Sequence, residues 1–369
     1  MSDAANPILP SQIESRVLSL PLPELNATVG ELGQVESVSV TDGKVELVIL
    51  LGFPAQGLLQ SLSESIWGAI KGLPGVEHVA VDIGWKVQPG QVADPGAAIP
   101  HVKNILAVAS GKGGVGKSTT AINLALALRA EGAVVGILDA DIYGPSIPAM
   151  LGVGNQRPAL EKGPQGQMLV PIEAHGIYSI SMGYLVTEQT PMVWRGPMAS
   201  GALQQLLAQT LWPDLDYLII DMPPGTGDIQ LTLSQKVPVT GSVVVTTPQD
   251  IALLDAQKGI EMFRKVHVPV LGVIENMATH ICSNCGHEEH IFGEGGGQRI
   301  ASDYQTQLLG ALPLNLSIRQ QADGGCPTVA ADPESELSMI YRGIATRVAA
   351  ELAKSVGQTS APIIETTDD

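Results

Sequence analysis

Gly111-Lys112-Gly113-Gly114-Val115-Gly116-Lys117-Ser118 matches the phosphate-loop pattern G-x-x-x-x-G-K-[ST], with a second lysine directly after the first glycine. In such a loop, backbone N–H groups surround phosphate oxygens, the lysine adds a positive charge and the hydroxyl ligates Mg²⁺. The flanking pattern fits, because 104–110 predicts a short apolar strand and 119–131 predicts a helix that Gly132 ends. We therefore expect a nucleotide site formed by Gly111, Lys112, Gly113, Gly114, Val115, Gly116, Lys117, Ser118 and Thr119.

Apolar runs alternate with helical patterns through the rest of this region. Near-continuous apolar strands separated by helices are typical of a parallel sheet with helices on both faces. The sequence thus predicts an α/β fold with a doubly wound, mostly parallel sheet, in which ligands bind at the carboxyl ends of the strands. The predicted strands after the loop are 134–138, 177–181, 217–220, 242–246, 268–274 and 307–312.

The chain divides by pattern into four parts. Residues 10–87 predict a small α+β domain, and residues 88–101 are rich in Pro, Gly and Ala, as expected of a linker. Residues 102–352 carry the main α/β domain. Residues 353–369 are polar and acidic, which predicts a disordered tail.

Composition excludes several classes of function. A formal charge of -17 opposes sequence-independent binding to nucleic acid or to an anionic membrane, since both depend on clustered Lys and Arg. The first ten residues lack the features of a signal peptide, and the longest apolar run, 45–53, is too short to span a bilayer. Three cysteines in 369 residues exclude a disulfide framework. We therefore expect a cytoplasmic protein without nucleic-acid or membrane partners.

Carboxylates follow two of the predicted strands. Asp221 ends the run 218–221, where a Mg²⁺ partner is expected, although a turn or helix-capping role is the alternative. Asp141 lies in the segment 139–144 and is a candidate to orient the attacking water, while capping of a loop by Asp139 and Asp141 is the alternative. Asp228 ends the segment 223–228, whose two prolines and two glycines suit either a switch loop or a rigid turn.

Cys282 and Cys285 form a C-x-x-C pair, a spacing that lets two thiolates bind one metal from one side. The pair alone fits zinc, iron-sulfur or redox chemistry. His280, His287 and His290 lie close in sequence, so a Cys₂His₂ zinc knuckle within one chain is one alternative. If only the thiols serve, a symmetric dimer supplies the four thiolates that suit an iron-sulfur cluster. Cys326, between Gly325 and Pro327, is interpreted as a turn residue.

Four segments together resemble the Mrp/ApbC family of P-loop ATPases, the bacterial iron-sulfur cluster carriers. The segments are GKGGVGKS (111–118), DADIYGPS (139–146), DMPPGTGD (221–228) and ENMATHICSNCGHEEHIFGEGGG (275–297). The resemblance covers about 102–330 and places the chain in the deviant Walker A group with MinD, ParA and the nitrogenase iron protein.

The resemblance implies an ATP-hydrolysing homodimer. It implies that Lys112 reaches the partner's nucleotide. From the residues themselves, we expect Lys117 and Asp141 to serve catalysis, and Ser118 and Asp221 to hold Mg²⁺. The resemblance also implies that Asn276 contacts the nucleotide base, whereas a strand-end turn is the alternative role from the residues alone. A labile [4Fe-4S] or [2Fe-2S] cluster would bridge Cys282 and Cys285 of both subunits, with apo iron-sulfur proteins and assembly scaffolds as partners.

Residues 10–87 more loosely resemble the accessory domain of iron-sulfur assembly proteins, through Pro23-Glu24-Leu25, 32–35 and 73–76. Leu22 stands where that family usually has Asp, and 53–57 lacks the family's cysteine. We therefore expect this domain to dock a partner protein rather than to bind metal, or to serve only as a structural appendage.

Other functions remain open for the ATPase. A zinc-stabilised regulatory or positioning ATPase is the main alternative, although the acidic tail offers neither a membrane-binding helix nor a basic surface. An electron-donating ATPase is disfavoured, because the nitrogenase iron protein uses widely separated cysteines.

Overall fold

The computed structural model describes residues 9–90, 98–164, 166–185, 196–282 and 284–357. They form two compact units, of which the smaller comprises residues up to Gly90 and from Ala349 onward, and the larger ends at Val348. Of the predicted linker, residues 91–97 lie outside the described residues. No described helix combines the length and the apolarity needed to cross a membrane.

A three-stranded sheet with helices forms the smaller unit. Strand β4 alternates buried and more exposed residues, so one face packs into a core. The β3–β4 pair is antiparallel around the turn at Asp42 and Gly43, and β4 pairs in parallel with β5. The elements are α1 (Pro10–Leu18), β1 (Pro21–Leu22), β2 (Ala27–Thr28), α2 (Val29–Leu32), β3 (Gly33–Thr41), β4 (Lys44–Leu51), α3 (Leu59–Ile70) and β5 (His78–Trp85).

The larger unit contains the remaining strands and helices. The strands are β6 (Val102–Ala109), β7 (Val135–Asp139), β8 (Leu160–Gly163), β9 (Gly166–Leu169), β10 (Ile172–Ala174), β11 (Ile177–Ser181), β12 (Leu215–Asp221), β13 (Gly241–Thr246), β14 (Val270–Glu275), β15 (His280–Ile281), β16 (Glu288–Glu289) and β17 (Leu308–Ala311). The helices are α4 (Lys117–Ala130), α5 (Ile147–Met150), α6 (Gly196–Ala208), α7 (Asp228–Lys236), α8 (Asp250–Lys265), α9 (Gly296–Asp303), α10 (Leu316–Asp323), α11 (Thr328–Ala331) and α12 (Glu336–Gly357), of which the residues from Ala349 onward belong to the smaller unit.

An eight-stranded sheet organises this unit, in the order β10-β11-β7-β12-β6-β13-β14-β17. Every neighbouring pair from β11 to β17 is parallel, and only the edge strand β10 is antiparallel. Central strands such as β13 are buried throughout, as continuous apolar runs require. The predicted α/β fold with a mostly parallel, doubly wound sheet is confirmed.

The prediction of a disordered tail from residue 353 is wrong for its first residues. α12 continues to Gly357. The ammonium group of Lys354 donates to the carbonyl oxygen of Leu25 at 3.1 Å, and Ala353 Cβ packs against Gly52. These contacts lie within the smaller unit, to which the residues from Ala349 onward belong. Residues 358–369 of the predicted tail lie outside the described residues.

Candidate functional site

The phosphate loop joins β6, near the middle of the sheet, to α4. Gly114 and Gly116 adopt left-handed φ angles of 82° and 83°, which favour glycine. Gly111 packs directly on α8, because a Cβ at this position would overlap the backbone carbonyl group of Asp255. Gly114 and Gly116 therefore allow the left-handed turn, and Gly111 allows the loop backbone to approach the backbone of α8.

Lys117 and Asp221 form a buried ion pair at the carboxyl ends of β6 and β12, and their side chains are 6% and 0% exposed. The Lys117 ammonium group also lies 3.1 Å from Ser118 Oγ. Asp221 Oδ2 is buried without a hydrogen-bond partner among the described residues. A buried carboxylate oxygen that lacks a partner beside a hydroxyl suits a hard cation, so these residues fit Mg²⁺.

Asp139 is a second buried carboxylate, and it pairs in register with Asp221 on the adjacent strand. Its Oδ2 accepts hydrogen bonds from the backbone N–H groups of Ser146 and Ile147 and from Ser181 Oγ, at 3.0, 3.2 and 3.1 Å. Burial and the nearby Asp221 charge raise the pKa of Asp139 to about 7. Burial also raises the pKa of Asp221, opposed by the charge of Lys117.

The raised pKa of Asp139 predicts a pH-dependent stability. Between about pH 4 and 7 the folded protein keeps a proton that the unfolded chain releases, so the free energy of unfolding falls as pH rises through this window. The slope from this group is at most about 1.4 kcal/mol per pH unit. Urea denaturation at pH 5, 6 and 7 should show this fall in the wild type and a flatter profile in Asp139→Asn. Parallel profiles for the two proteins would contradict the assignment.

Asp141 lies on the loop after β7, and Asp228 is the first residue of α7. Asp141 is partly exposed, and its Oδ1 accepts a hydrogen bond from the Gly144 backbone N–H at 3.2 Å. Asp228 is exposed at the start of α7. The loop before Asp228 contacts the phosphate loop, since the Gly225 N–H donates to the Ser110 carbonyl oxygen at 2.9 Å. The structure thus brings the loop 223–228 next to the start of the phosphate loop.

Lys112 is partly exposed on the phosphate loop. Its carbonyl oxygen accepts a hydrogen bond from Ser110 Oγ at 2.8 Å, which fixes the backbone at this position. Within the described ranges, no carboxylate lies at ion-pair distance from its ammonium group. The side chain is therefore not engaged by an ion pair at its own site.

Asn276 lies beside the phosphate loop, directly after β14. Its Nδ2 donates to the Val115 carbonyl oxygen at 2.9 Å, and its Oδ1 accepts from the Met277 N–H at 2.9 Å. A Cβ on Gly116 would overlap this amide. Asn276 therefore contacts the loop itself, and its contact with a nucleotide base stays a prediction.

Cys282 and Cys285 occupy the turn of a small hairpin formed by β15 and β16. The Cys282 N–H donates to the His287 carbonyl oxygen at 2.9 Å, and the Gly286 N–H donates to the Cys282 carbonyl oxygen at 2.8 Å. Cys285 is exposed and Cys282 is partly exposed. Backbone N–H groups of Asn284 and Cys285 lower the pKa of the Cys282 thiol, which favours the thiolate that binds metal.

The three nearby histidines face other groups. Nδ1 of His280 lies 3.2 Å from the Leu314 carbonyl oxygen, and Nδ1 of His290 lies 3.1 Å from the Ala278 carbonyl oxygen. Nε2 of His287 lies 3.7 Å from a Glu289 carboxylate oxygen. Among the residues that the structure describes, no cluster of three or more metal-binding side chains is present. The described part of one chain therefore offers no Cys₂His₂ zinc knuckle.

Cys326 lies apart, in the turn between α10 and α11, where its N–H donates to the Gln321 carbonyl oxygen at 3.0 Å. It is partly exposed and has a free thiol. This position is consistent with its interpretation as a turn residue.

Sequence reasoning missed two features of the site. Asp139 was considered only as a loop cap, whereas it is a buried neighbour of Asp221. Glu275 is not among the predicted site residues, although the residue is 4% exposed and its carboxylate accepts the Gly297 N–H at 2.7 Å. A charged residue at the end of an apolar strand was the available signal for both.

Two family models match the chain. The model described as the NUBPL iron-transfer P-loop NTPase matches residues 101–349, and one described as an iron-sulfur cluster assembly protein matches residues 10–83.

Close relatives have similar names. The iron-sulfur cluster carrier protein of Escherichia coli K12 is 55% identical over 330 residues, with 89% of each chain covered. That of Pseudomonas fragi is 63% identical over 280 residues, covering 75% of this chain and 96% of the relative.

A solved structure, the nucleotide-binding protein of Archaeoglobus fulgidus in complex with ADP, is 34% identical with a TM-score of 0.56. The match covers 65% of this chain and 93% of that one. The resemblance to iron-sulfur cluster carriers inferred from sequence is confirmed, and the chain belongs to the NUBPL iron-transfer P-loop NTPase family.

Proposed function

We propose that this protein is an ATP-hydrolysing carrier of an iron-sulfur cluster, which it passes to apo proteins. The cluster is cargo, held by Cys282 and Cys285 of two subunits and released by exchange of these thiolates for those of the acceptor. The observation that carries the proposal is the exposed thiol pair, because the described part of the chain supplies it with no third ligand. Two such pairs supply the four thiolates that a cluster takes.

For ATP binding and hydrolysis, each polar side chain around the phosphate loop has a proposed role. Lys117 and the loop N–H groups bind phosphates, Ser118 and Asp221 ligate Mg²⁺, and Asp141 orients the attacking water. Lys112 acts on the partner's nucleotide, where its cation offsets charge developing on the phosphoryl oxygens. The support is the buried Lys117–Asp221 pair next to Ser118 and the absence of an ion pair at Lys112 within the described residues.

A homodimer also accounts for apolar side chains beside the thiols. Ile281 and Ile291 lie on either side of the C-x-x-C pair in the sequence and are 54% and 53% exposed. Large exposed apolar side chains near a functional group are typical of a protein-binding surface. In the smaller unit, the match to an iron-sulfur assembly domain supports docking of client or scaffold proteins.

Removing the thiols should remove the cargo and leave the ATPase at least partly active. We expect the double variant Cys282→Ala, Cys285→Ala to lose iron, sulfide and the visible absorption of a cluster after anaerobic reconstitution, because no thiolate remains in the hairpin. Cys326→Ala is the matched control and should load about one cluster per two chains. Measurements are metal and sulfide analysis, absorption spectra and phosphate release.

The same measurement separates the proposal from a zinc-stabilised regulatory ATPase. A full cluster spectrum in the double variant would overturn the assignment of the thiols. Stoichiometric zinc without sulfide in the anaerobically purified wild type, together with no transfer to an apo acceptor, would favour the zinc protein.

A further inference from the structure

Glu275 and Asn276 are neighbours at the carboxyl end of β14, yet their side chains hold two different parts of the molecule. Asn276 contacts the phosphate loop, and Glu275 contacts the first turn of α9. The thiol hairpin lies between them, because residues 277–295 connect Asn276 to α9.

The contact of Asn276 with the loop is close and uses both ends of the side-chain amide. Nδ2 donates to the Val115 carbonyl oxygen, and Oδ1 accepts the Met277 N–H, both at 2.9 Å. The Gly116 backbone abuts the same amide, leaving no room for a Cβ. A movement of the loop at these residues must therefore shift Asn276 or break its hydrogen bond.

The contact of Glu275 is buried. Its Oε1 accepts the Gly297 N–H at 2.7 Å, and a Cβ on Gly297 would lie 3.0 Å from Glu275 Cβ. A carboxylate at a helix N-terminus is favourable, and a buried one is costly without a partner. Glu275 therefore fixes the start of α9 to the end of β14.

The base of the thiol hairpin is attached to the neighbouring strand ends. The Ala278 N–H donates to the Leu312 carbonyl oxygen at 2.9 Å, and the Leu314 N–H donates to that of Thr279 at 2.7 Å. His290, on the returning side, contacts the Ala278 carbonyl oxygen at 3.1 Å. Both sides of the hairpin are therefore attached close to Asn276, at the segment 278–279.

Helix α8 provides a second connection between the same parts. Gly111 of the phosphate loop packs against the Asp255 backbone, and a Cβ on Gly296 of α9 would lie 2.7 Å from Leu253. One rigid helix therefore touches the first residue of the loop and the first residue of α9.

We propose that Glu275 and Asn276 form a link through which nucleotide occupancy of the phosphate loop changes the geometry of Cys282 and Cys285. This inference rests on the proposed cargo role of the thiols and names the residues that connect them to ATP. Nucleotide binding moves the loop at Val115, the movement passes to Asn276, and Glu275 carries it to the far side of the hairpin. Coupling between two binding sites is reciprocal. If nucleotide changes the affinity of the thiols for the cluster by some factor, a bound cluster changes the affinity for nucleotide by that same factor.

Thiol reactivity of the cluster-free protein tests this link. In a Cys326→Ser background, the alkylation rate of the hairpin thiols by iodoacetamide is measured without nucleotide and with saturating non-hydrolysable ATP analogue. Saturation is checked for every variant with a fluorescent nucleotide. We expect the wild-type rate to change about fivefold or more. In Glu275→Ala and Asn276→Ala the fold change caused by nucleotide should fall to less than half of the wild-type value, and the contacts of α8 carry what remains.

Two controls separate the link from general loss of stability. Glu275→Gln keeps an oxygen acceptor for the Gly297 N–H and should retain most of the wild-type ratio. Thr240→Val removes two buried hydrogen bonds to Ile105 at the opposite end of the sheet, and should retain the full ratio.

Glu275→Ala decides the outcome if Asn276→Ala binds no nucleotide, because the Glu275 hydrogen bond reaches α9 and not the loop. If Glu275→Ala does not fold, Asn276→Ala decides. A fold change of half the wild-type value or more in the deciding variant, or no nucleotide effect in the wild type, overturns the link. Because no cluster is present, a nucleotide effect that the variants reduce to less than half supports the link even if reconstitution fails. If the protein loads clusters but nucleotide does not change the alkylation rate of its thiols, the carrier function stands and the proposed link is wrong.

Discussion

Replacing Lys117 with methionine is expected to slow ATP hydrolysis strongly and to lower the free energy of unfolding by about 3–5 kcal/mol. The Lys117 ammonium group is the ion-pair partner of Asp221, and both side chains are buried. Removing the cation leaves an uncompensated carboxylate next to Asp139, whose own ionisation is already suppressed. Phosphate release should fall about 10²-fold or more, as when other transition-state electrostatic contacts are removed. Urea denaturation measures the loss of stability.

A second substitution separates the two effects. Lys117→Met combined with Asp221→Asn removes both charges and should recover most of the lost stability, because an unpaired buried charge is the main cost. Hydrolysis should stay as low as in Lys117→Met, since the proposed phosphate contact of Lys117 and the proposed Mg²⁺ contact of Asp221 are both removed. An equally unstable double variant would show that the ion pair does not account for the destabilisation.

Lys112→Ala should reduce ATP hydrolysis by about 10³ to 10⁵, as trans-acting arginines do, while stability stays near that of the wild type. The lysine is partly exposed and has no ion-pair partner within the described residues, so its loss leaves no buried charge behind. Single-turnover phosphate release measures the rate, and thermal denaturation checks the fold.

Subunit mixing tests whether Lys112 acts across a dimer. Equal amounts of Lys112→Ala and of the stabilised Lys117→Met, Asp221→Asn variant should regain about a quarter of wild-type activity, since half of the dimers then contain one complete site. Each variant alone should be inactive. If mixing restores nothing although the subunits exchange, Lys112 acts within its own subunit.

Most of the fold could be predicted because its signals are long and repetitive. β12 and β13 read as uninterrupted apolar runs, and α4 follows a motif that specifies strand, loop and helix. The hairpin around Cys282 could not be predicted from sequence, because β15 and β16 have two residues each and are too short to show a periodic pattern. The final turns of α12 were also missed, because contacts with Leu25 and Gly52 hold a stretch that reads locally as polar.

The site was predictable in its residue types and less so in its pairings. Asp221 was expected near the phosphate loop because parallel strands end at one edge. Its pairing with Lys117 depends on rotamers that a sequence does not show. Asn276 illustrates the same limit, since nothing in the sequence shows its hydrogen bond to Val115. Side-chain direction at a strand end depends on the neighbouring loop.

The buried Lys117–Asp221 pair makes nucleotide binding a partner exchange. Water has already been removed from both groups in the empty site, so a phosphate that claims the lysine must leave the aspartate with a replacement cation. On the role proposed for Asp221, Mg²⁺ would be that replacement, arriving with the triphosphate. Nucleotide without metal would leave Asp221 without a partner, and metal without nucleotide would leave Lys117 without one. The site should therefore prefer the metal–nucleotide complex over either component.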